Sequence, residues 1–200
     1  MGTSSSRAYT AEFLGTLVLT LGVALSLTKG LAIPTPMVAS LTVMLFVYTV
    51  GAISGTHINP AVTVSLWSIG KITPRDAGWY IAAQFAGAAS AVGLTQVLVG
   101  ELPSGSVPVT PLLGLGELFG SFLLVFGISA VVHGKVPKEA AGLVIGGSLL
   151  LGILIASTVS NAVLNPAVAL GINSLSVYHI AAPLLGGILA AQCYKWLVEA

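Results

Sequence analysis

Six stretches of about 20 residues, Tyr9 to Thr28, Pro36 to Ser54, Ala77 to Val99, Leu112 to Val132, Ala140 to Val159 and Val177 to Val198, hold among them only three charged residues, Glu12, Glu117 and Lys195. At a rise of ~1.5 Å per residue, each is long enough to cross ~30 Å of hydrocarbon as a helix. Across the chain, 56% of residues are hydrophobic and 6% charged, a balance that a water-soluble domain of 200 residues would not tolerate. The sequence therefore reads as a single integral, multi-pass membrane domain over residues 1–200 whose solvent is the lipid bilayer. A net charge of +1 gives no basis for a nucleic-acid or acidic partner, and the single Cys193 excludes an internal disulfide. Gly2 and Ser6 match the loose N-myristoylation pattern, which many short Ser-rich tails share.

Short polar or Pro-rich joints separate the spans: 29–34, 71–76, 101–111, 133–139 and 173–176. Two apolar pieces remain, Asn59 to Ile69 and Asn165 to Ile172, both too short to span. They read as half-helices. The runs before them, "ISGTHI" and "TVSNAVL", look non-helical, and such backbone is tolerated at membrane depth only inside protein or against a water-filled cavity. With an inside N-terminus, Arg7, Lys71, Arg75, Lys135, Lys138 and Lys195 fall on the cytoplasmic side and only Lys29 outside, as the positive-inside rule requires. Both termini are then cytoplasmic and the cytoplasmic (plasma) membrane is the expected location. The first short piece enters from the cytoplasm and the second from outside.

The halves resemble each other. "AEFLGTLVL" around Glu12 pairs with "GELFGSFLL" around Glu117, "INPAVT" with "LNPAVA", and "YIAAQFAGA" with "HIAAPLLGG". Asn59 follows Glu12 by 47 residues, and Asn165 follows Glu117 by 48. These are two copies of a three-span unit, roughly residues 8–100 and 112–198, and an odd number of spans inverts the second copy. The two half-helix N-termini then face each other near the midplane, each with about half a positive charge and an Asn amide, Asn59 or Asn165. The carbonyls of Gly55, Thr56 and His57 on one side, and of Asn161, Ala162 and Val163 on the other, supply a ladder of acceptors that replaces lost hydration. The arrangement suits a pore for small, uncharged, polar molecules.

"SGTHINPAVT", the second Asn165-Pro166-Ala167, the "AEFLGT" opening and "RDAGWYIAAQFAGA" from Arg75 together resemble the aquaporin, or major intrinsic protein, family over essentially the whole chain. The resemblance implies an all-α, right-handed bundle of six tilted transmembrane helices and two re-entrant half-helices. It also implies one pore per subunit, a homotetramer, and paired motifs, Asn59-Pro60-Ala61 and Asn165-Pro166-Ala167, at the pore centre. The chain is short for the family, mainly in its loops. In the family the residue after the second motif is ordinarily arginine, part of a four-residue constriction. Here it is Val168. Counting from the motifs carries the other three positions onto Ala39, Ile153 and Ala162, so the filter is expected to be wide and apolar and to match neither the water-selective nor the glycerol-conducting pattern.

Intramembrane carboxylates are costly. Glu12 and Glu117 are read as braces that accept the free N–H groups of the re-entrant loops rather than as a proton relay, and His57 as a further loop brace with a pore-facing carbonyl. His133 and His179 fall at span ends, where polar rings are unremarkable. The spacings Gly116 to Gly120 and Gly142 to Gly146 read as helix-packing devices, and Cys193 as a small hydrophobe. No nucleophilic, paired-carboxylate, phosphate-binding or metal-ligating constellation is present, so no enzyme, metal or cofactor is expected. Secondary transport shares inverted repeats and broken helices, but the midplane offers no charged coupling site. An adhesive role would need long extracellular loops. The expected function is a passive channel for water and small neutral solutes, with glycerol, urea, ammonia or hydrogen peroxide among the candidates. The alternative is a water-poor channel for a weakly hydrated solute or gas.

Overall fold

The computed structural model describes residues 5–105 and 107–199, and Gly2 of the myristoylation pattern lies outside them. The helices run α1 (Ser5–Lys29), α2 (Thr35–Ser54), α3 (Pro60–Ser68), α4 (Pro74–Val99), α5 (Pro111–Val132), α6 (Ala141–Ala156), α7 (Pro166–Gly171) and α8 (Val177–Glu199), with a 3-10 turn, Lys138–Ala140, leading into α6. Among the described residues, six are long and apolar enough to cross a membrane: α1, α2, α4, α5, α6 with its leading turn, and α8. The nine residues of α3 and six of α7 are not. The fold is all-α, six membrane-spanning helices with two short helices between them.

Local chemistry sets where the helices begin and end. Proline in the first turn opens α2, α3, α4, α5 and α7, where its missing N–H leaves no helical partner unsatisfied. Thr73 and Thr110 cap α4 and α5 through their hydroxyls. Gly55 (φ 83°) and Gly100 (φ 75°) close α2 and α4 in the left-handed conformation that glycine adopts without penalty. Helix α6 stops at Ala156, three residues before the expected Val159. There the hydroxyls of Ser157 and Thr158 donate to the Leu154 and Ile155 carbonyls at 2.8 Å, competing with the continuing ladder.

Lipid gives helices no hydrophobic reason to associate, so close backbone approach at small residues carries the packing. A Cβ on Gly87 would lie 3.0 Å from the Leu17 nitrogen, which brings α4 onto α1. One on Gly120 would lie 2.9 Å from the Gly152 carbonyl, joining α5 to α6, and one on Gly186 would strike the Leu118 carbonyl, joining α8 to α5. Gly116 and Gly120 both face α6 and the segment after it, while Gly142 and Gly146 face Tyr48 and Ser40 of α2. The α1 and α4 helices run parallel: Tyr9 bonds Asp76 near their starts (2.7 Å), and Lys29, the last residue of α1, pairs with Glu101 just beyond the end of α4 (2.9 Å). The segments 55–59 and 157–165 enter from opposite ends of the bundle, the first from the Asp76 end and the second from the Glu101 end. They meet inside it.

Candidate functional site

The two entering segments share one irregular geometry. Thr56 (φ 52°) and Ile58 (φ 41°) in the first, and Ala162 (φ 51°) and Leu164 (φ 56°) in the second, adopt a conformation that L-residues avoid, at a cost of order 1 kcal/mol or more each. Two fully buried carboxylates hold them there. Glu12 accepts the N–H groups of His57 (2.9 Å) and Ile58 (2.5 Å), the Ser54 hydroxyl (2.7 Å) and the Gln84 amide (2.8 Å). Glu117 accepts those of Val163 (2.9 Å) and Leu164 (2.7 Å), together with the Ser160 hydroxyl (3.0 Å). The same serines take one more N–H each: Thr56 donates to Ser54 (3.0 Å) and Ala162 to Ser160 (2.7 Å).

These bonds orient the carbonyls. In a trans peptide the C=O points opposite to the N–H of the next residue. Pinning the N–H groups of 56–58 and 162–164 therefore turns the carbonyls of Gly55, Thr56, His57, Asn161, Ala162 and Val163 away from the braces, and none of the six accepts a hydrogen bond from another described group. Five of these residues line a cavity. Gly55 does not, because it sits exposed at the end of α2.

At the centre each Asn side chain bonds in two directions. The Asn59 oxygen caps α3 through the Ala61 N–H (2.8 Å), and the Asn165 oxygen caps α7 through those of Ala167 (3.0 Å) and Val168 (3.3 Å). Their amino groups cross over: Asn59 donates to the Leu164 carbonyl and Asn165 to the Ile58 carbonyl, both at 2.9 Å. An amide carries two N–H donors, so one on each Asn is left for a passing molecule. Pro60, Ala61, Pro166 and Ala167 are buried, start their helices and do not line the cavity.

The cavity has a volume of about 350 Å³. Ala39 from α2, Ile153 from α6, Ala162 from the second loop and Val168 from α7 all lie on its wall, as do Asn59, Asn165 and His57, and no Asp, Glu, Lys or Arg side chain among the described residues does. The His57 ring is held by Thr63 (3.2 Å) and packs edge-on to Tyr80, their centroids 5.0 Å apart. No group of metal-ligating side chains occurs among the described residues.

Sequence reading left out Ser54, Ser160 and Gln84. Ser54 and Ser160 each stand five residues before an Asn-Pro-Ala motif, a repeat signal visible without coordinates. Gln84 bridges Glu12 and Thr63 from α4, and its counterpart in the second half is Pro183, so no repeat pointed to it.

The family described as major intrinsic protein matches residues 2–194, nearly the whole chain. The chain belongs to the major intrinsic protein family. Members are membrane channels and not enzymes. Among individual major intrinsic proteins, the chain is 36% identical to Aquaporin NIP1-1 of Zea mays over 171 residues, 78% of this chain and 59% of that protein. It is 35% identical to Aquaporin AqpM of Methanothermobacter thermautotrophicus over 178 residues, 76% of this chain and 72% of that one. The match thus spans less than two thirds of the Zea mays relative's length. The aquaglyceroporin from Plasmodium falciparum shares the fold, with a TM-score of 0.81 and 98% of this chain covered against 97% of that one, at 23% identity.

Proposed function

We propose that this major intrinsic protein is a passive channel for water and small neutral solutes, of the size of urea or glycerol, and that its outer constriction is apolar and relaxed. The observation that carries this is the composition of one cavity wall. Ala39, Ile153, Ala162 and Val168 lie on it together with the two motif asparagines, and among the described residues it bears no charged side chain. A guanidinium at position 168, which the family pattern leads one to expect, would narrow the opening and repel cations. Valine does neither. Discrimination then rests on the free N–H of Asn59 and of Asn165 and the positive ends of the two facing half-helices, which oppose a cation, while the unpaired carbonyls replace a neutral solute's hydration. The names of the relatives, aquaporin in Zea mays and in Methanothermobacter thermautotrophicus, agree with water as one permeant.

The same reading takes Glu12 and Glu117 as static braces, since their oxygens are occupied by loop donors. It takes residues 8–100 and 112–198 as inverted copies, supported by the matching braces and positive-φ positions of the two loops. Both termini are placed inside on the distribution of basic residues, and a homotetramer is expected by family resemblance. Stopped-flow swelling of proteoliposomes against water, urea and glycerol tests the function. Acceleration of water and at least one solute over protein-free liposomes is expected. Fast ammonia flux with no acceleration of water or urea would instead favour a channel for weakly hydrated molecules, whose apolar constriction dewets.

A further inference from the structure

Asn161 precedes the constriction residue Ala162, and its side chain lies at the junction of four segments. Its amino group donates to the Gly105 carbonyl (3.1 Å) and to the Ser174 hydroxyl (2.8 Å), and its oxygen faces Nε2 of His179 at 2.8 Å. Ser174 in turn donates its hydroxyl to the Gly105 carbonyl, and the Gly105 N–H donates to the Ile172 carbonyl at 3.2 Å.

These bonds fix the protons. Ser174 spends its one hydrogen on Gly105 and must accept from Asn161, so the atom Asn161 turns towards it is the amino nitrogen. The other end of the amide is then an acceptor, and the His179 nitrogen facing it carries the proton. Nδ1 of His179 is left to accept from the Ser176 hydroxyl at 2.8 Å. The imidazole is 1% exposed and cannot turn to water. The Glu117 carboxylate lies 4.0 Å from Nε2 and is engaged with the second loop.

The same latch shapes the entrance. Ser104, Gly105 and Val107 from the α4–α5 connection stand on the cavity wall, together with Thr35 and Pro36 from the start of α2. Among the hydrogen bonds of the described residues, the one from Asn161 to Gly105 ties that stretch to the second loop, and those of Gly105 with Ser174 and Ile172 tie it to the segment after α7. Gly105 itself fits because a Cβ there would strike the Ile172 carbonyl and the Ser174 hydroxyl.

We propose that His179 and Asn161 are positioning residues for solute selection: the imidazole orients the Asn161 amide, which clamps Gly105 against the second loop and so sets the largest solute that enters above Val168. The inference rests on the channel reading and adds a size limit imposed by a loop rather than by the four constriction side chains. None of the three residues needs to touch the permeant at its narrowest passage.

The test compares glycerol with the longer polyol xylitol in proteoliposomes carrying wild type, Asn161→Ala, His179→Phe or Gly105→Ala, at matched protein density. The three variants undo the latch from three different segments, and Gly105→Ala leaves both Asn161 and His179 in place. Losing one hydrogen bond of ordinary strength shifts the balance between docked and released loop by about fivefold. The xylitol-to-glycerol permeability ratio should therefore rise by about that factor in His179→Phe, by at least that factor in Asn161→Ala, which gives up three bonds, and should also rise in Gly105→Ala, whose Cβ strikes Ile172 and Ser174, while water permeability changes less. A general packing defect would lower every permeability together and leave the ratio alone. Wild-type ratios in all three variants, or a change confined to Asn161→Ala, would overturn the latch. Absence of both solute and water flux in wild type would instead remove the channel reading on which it rests.

Discussion

Replacing Val168 by arginine tests the relaxed constriction from the side of charge. Val168 is 4% exposed, sits in the first turn of α7 and lies on the cavity wall, so a longer side chain grows into open space rather than into packed helices. Burying an arginine at mid-membrane on a lipid-facing helix costs about 3 kcal/mol on insertion scales, and water in the cavity with the unpaired carbonyls of Asn161 and Ala162 should hold the cost below that. A fixed positive charge about 5 Å from a permeating cation at an effective dielectric of ~20 raises its energy by about 3 kcal/mol, roughly a hundredfold in ion leak. Neutral solutes feel no such field but lose width, so urea and glycerol permeability should fall, while water persists or rises because the constriction becomes wettable. Stopped-flow permeabilities, with a sodium or proton leak assay on the same vesicles, read all three. Unchanged solute flux in Val168→Arg, with the protein present at wild-type density, would refute the placement of Val168 at the selecting position.

The central asparagines are capped and crossed, so Asn59→Ala or Asn165→Ala should cost about 2 kcal/mol, one cap plus one inter-loop bond, and flux should fall or ion exclusion weaken; thermal unfolding in detergent and vesicle flux would each reveal a silent residue. Glu12→Gln gives up charge-assisted bonds to two backbone N–H groups and sets an amino group against a loop donor, so about 2–4 kcal/mol of stability should be lost; Glu117→Gln should do the same, and near-unchanged melting in either would argue against bracing. In intact cells Lys29 should react with an impermeant amine reagent and Lys135 and Lys138 should not; labelling of the 135–138 segment from outside would invert the assigned orientation.

Six spans and two short helices were legible because length and lack of charge are additive properties of sequence, and a half-helix is a span that runs out of residues. Helix ends were less so. The stop of α6 at Ala156 depends on which carbonyls the Ser157 and Thr158 hydroxyls take, which no hydropathy count carries. Asn59 and Asn165 stood out as paired motif residues, yet their amino groups bond the carbonyls of Leu164 and Ile58 more than 100 residues away, a contact that exists only once the two loops have met. Counting from the motifs reaches Ala39 and Ile153, both on the cavity wall, but spacing says nothing about the width or wetting of the wall between them. His179 reads as an ordinary ring at a span end because Asn161, Gly105 and Ser174, which make it part of the entrance, lie on three other segments.

The central claim is that permeants pass through the cavity between Ala39, Ile153, Ala162 and Val168. The most direct test places a single thiol there, Ala162→Cys in a Cys193→Ser background, and follows urea and water flux in oriented vesicles before and after a membrane-impermeant mercurial. The account predicts that labelling from the Lys29 side arrests both fluxes and that excess thiol restores them, with the Cys193→Ser parent unaffected. Full labelling of Cys at position 162 with both fluxes unchanged would contradict it.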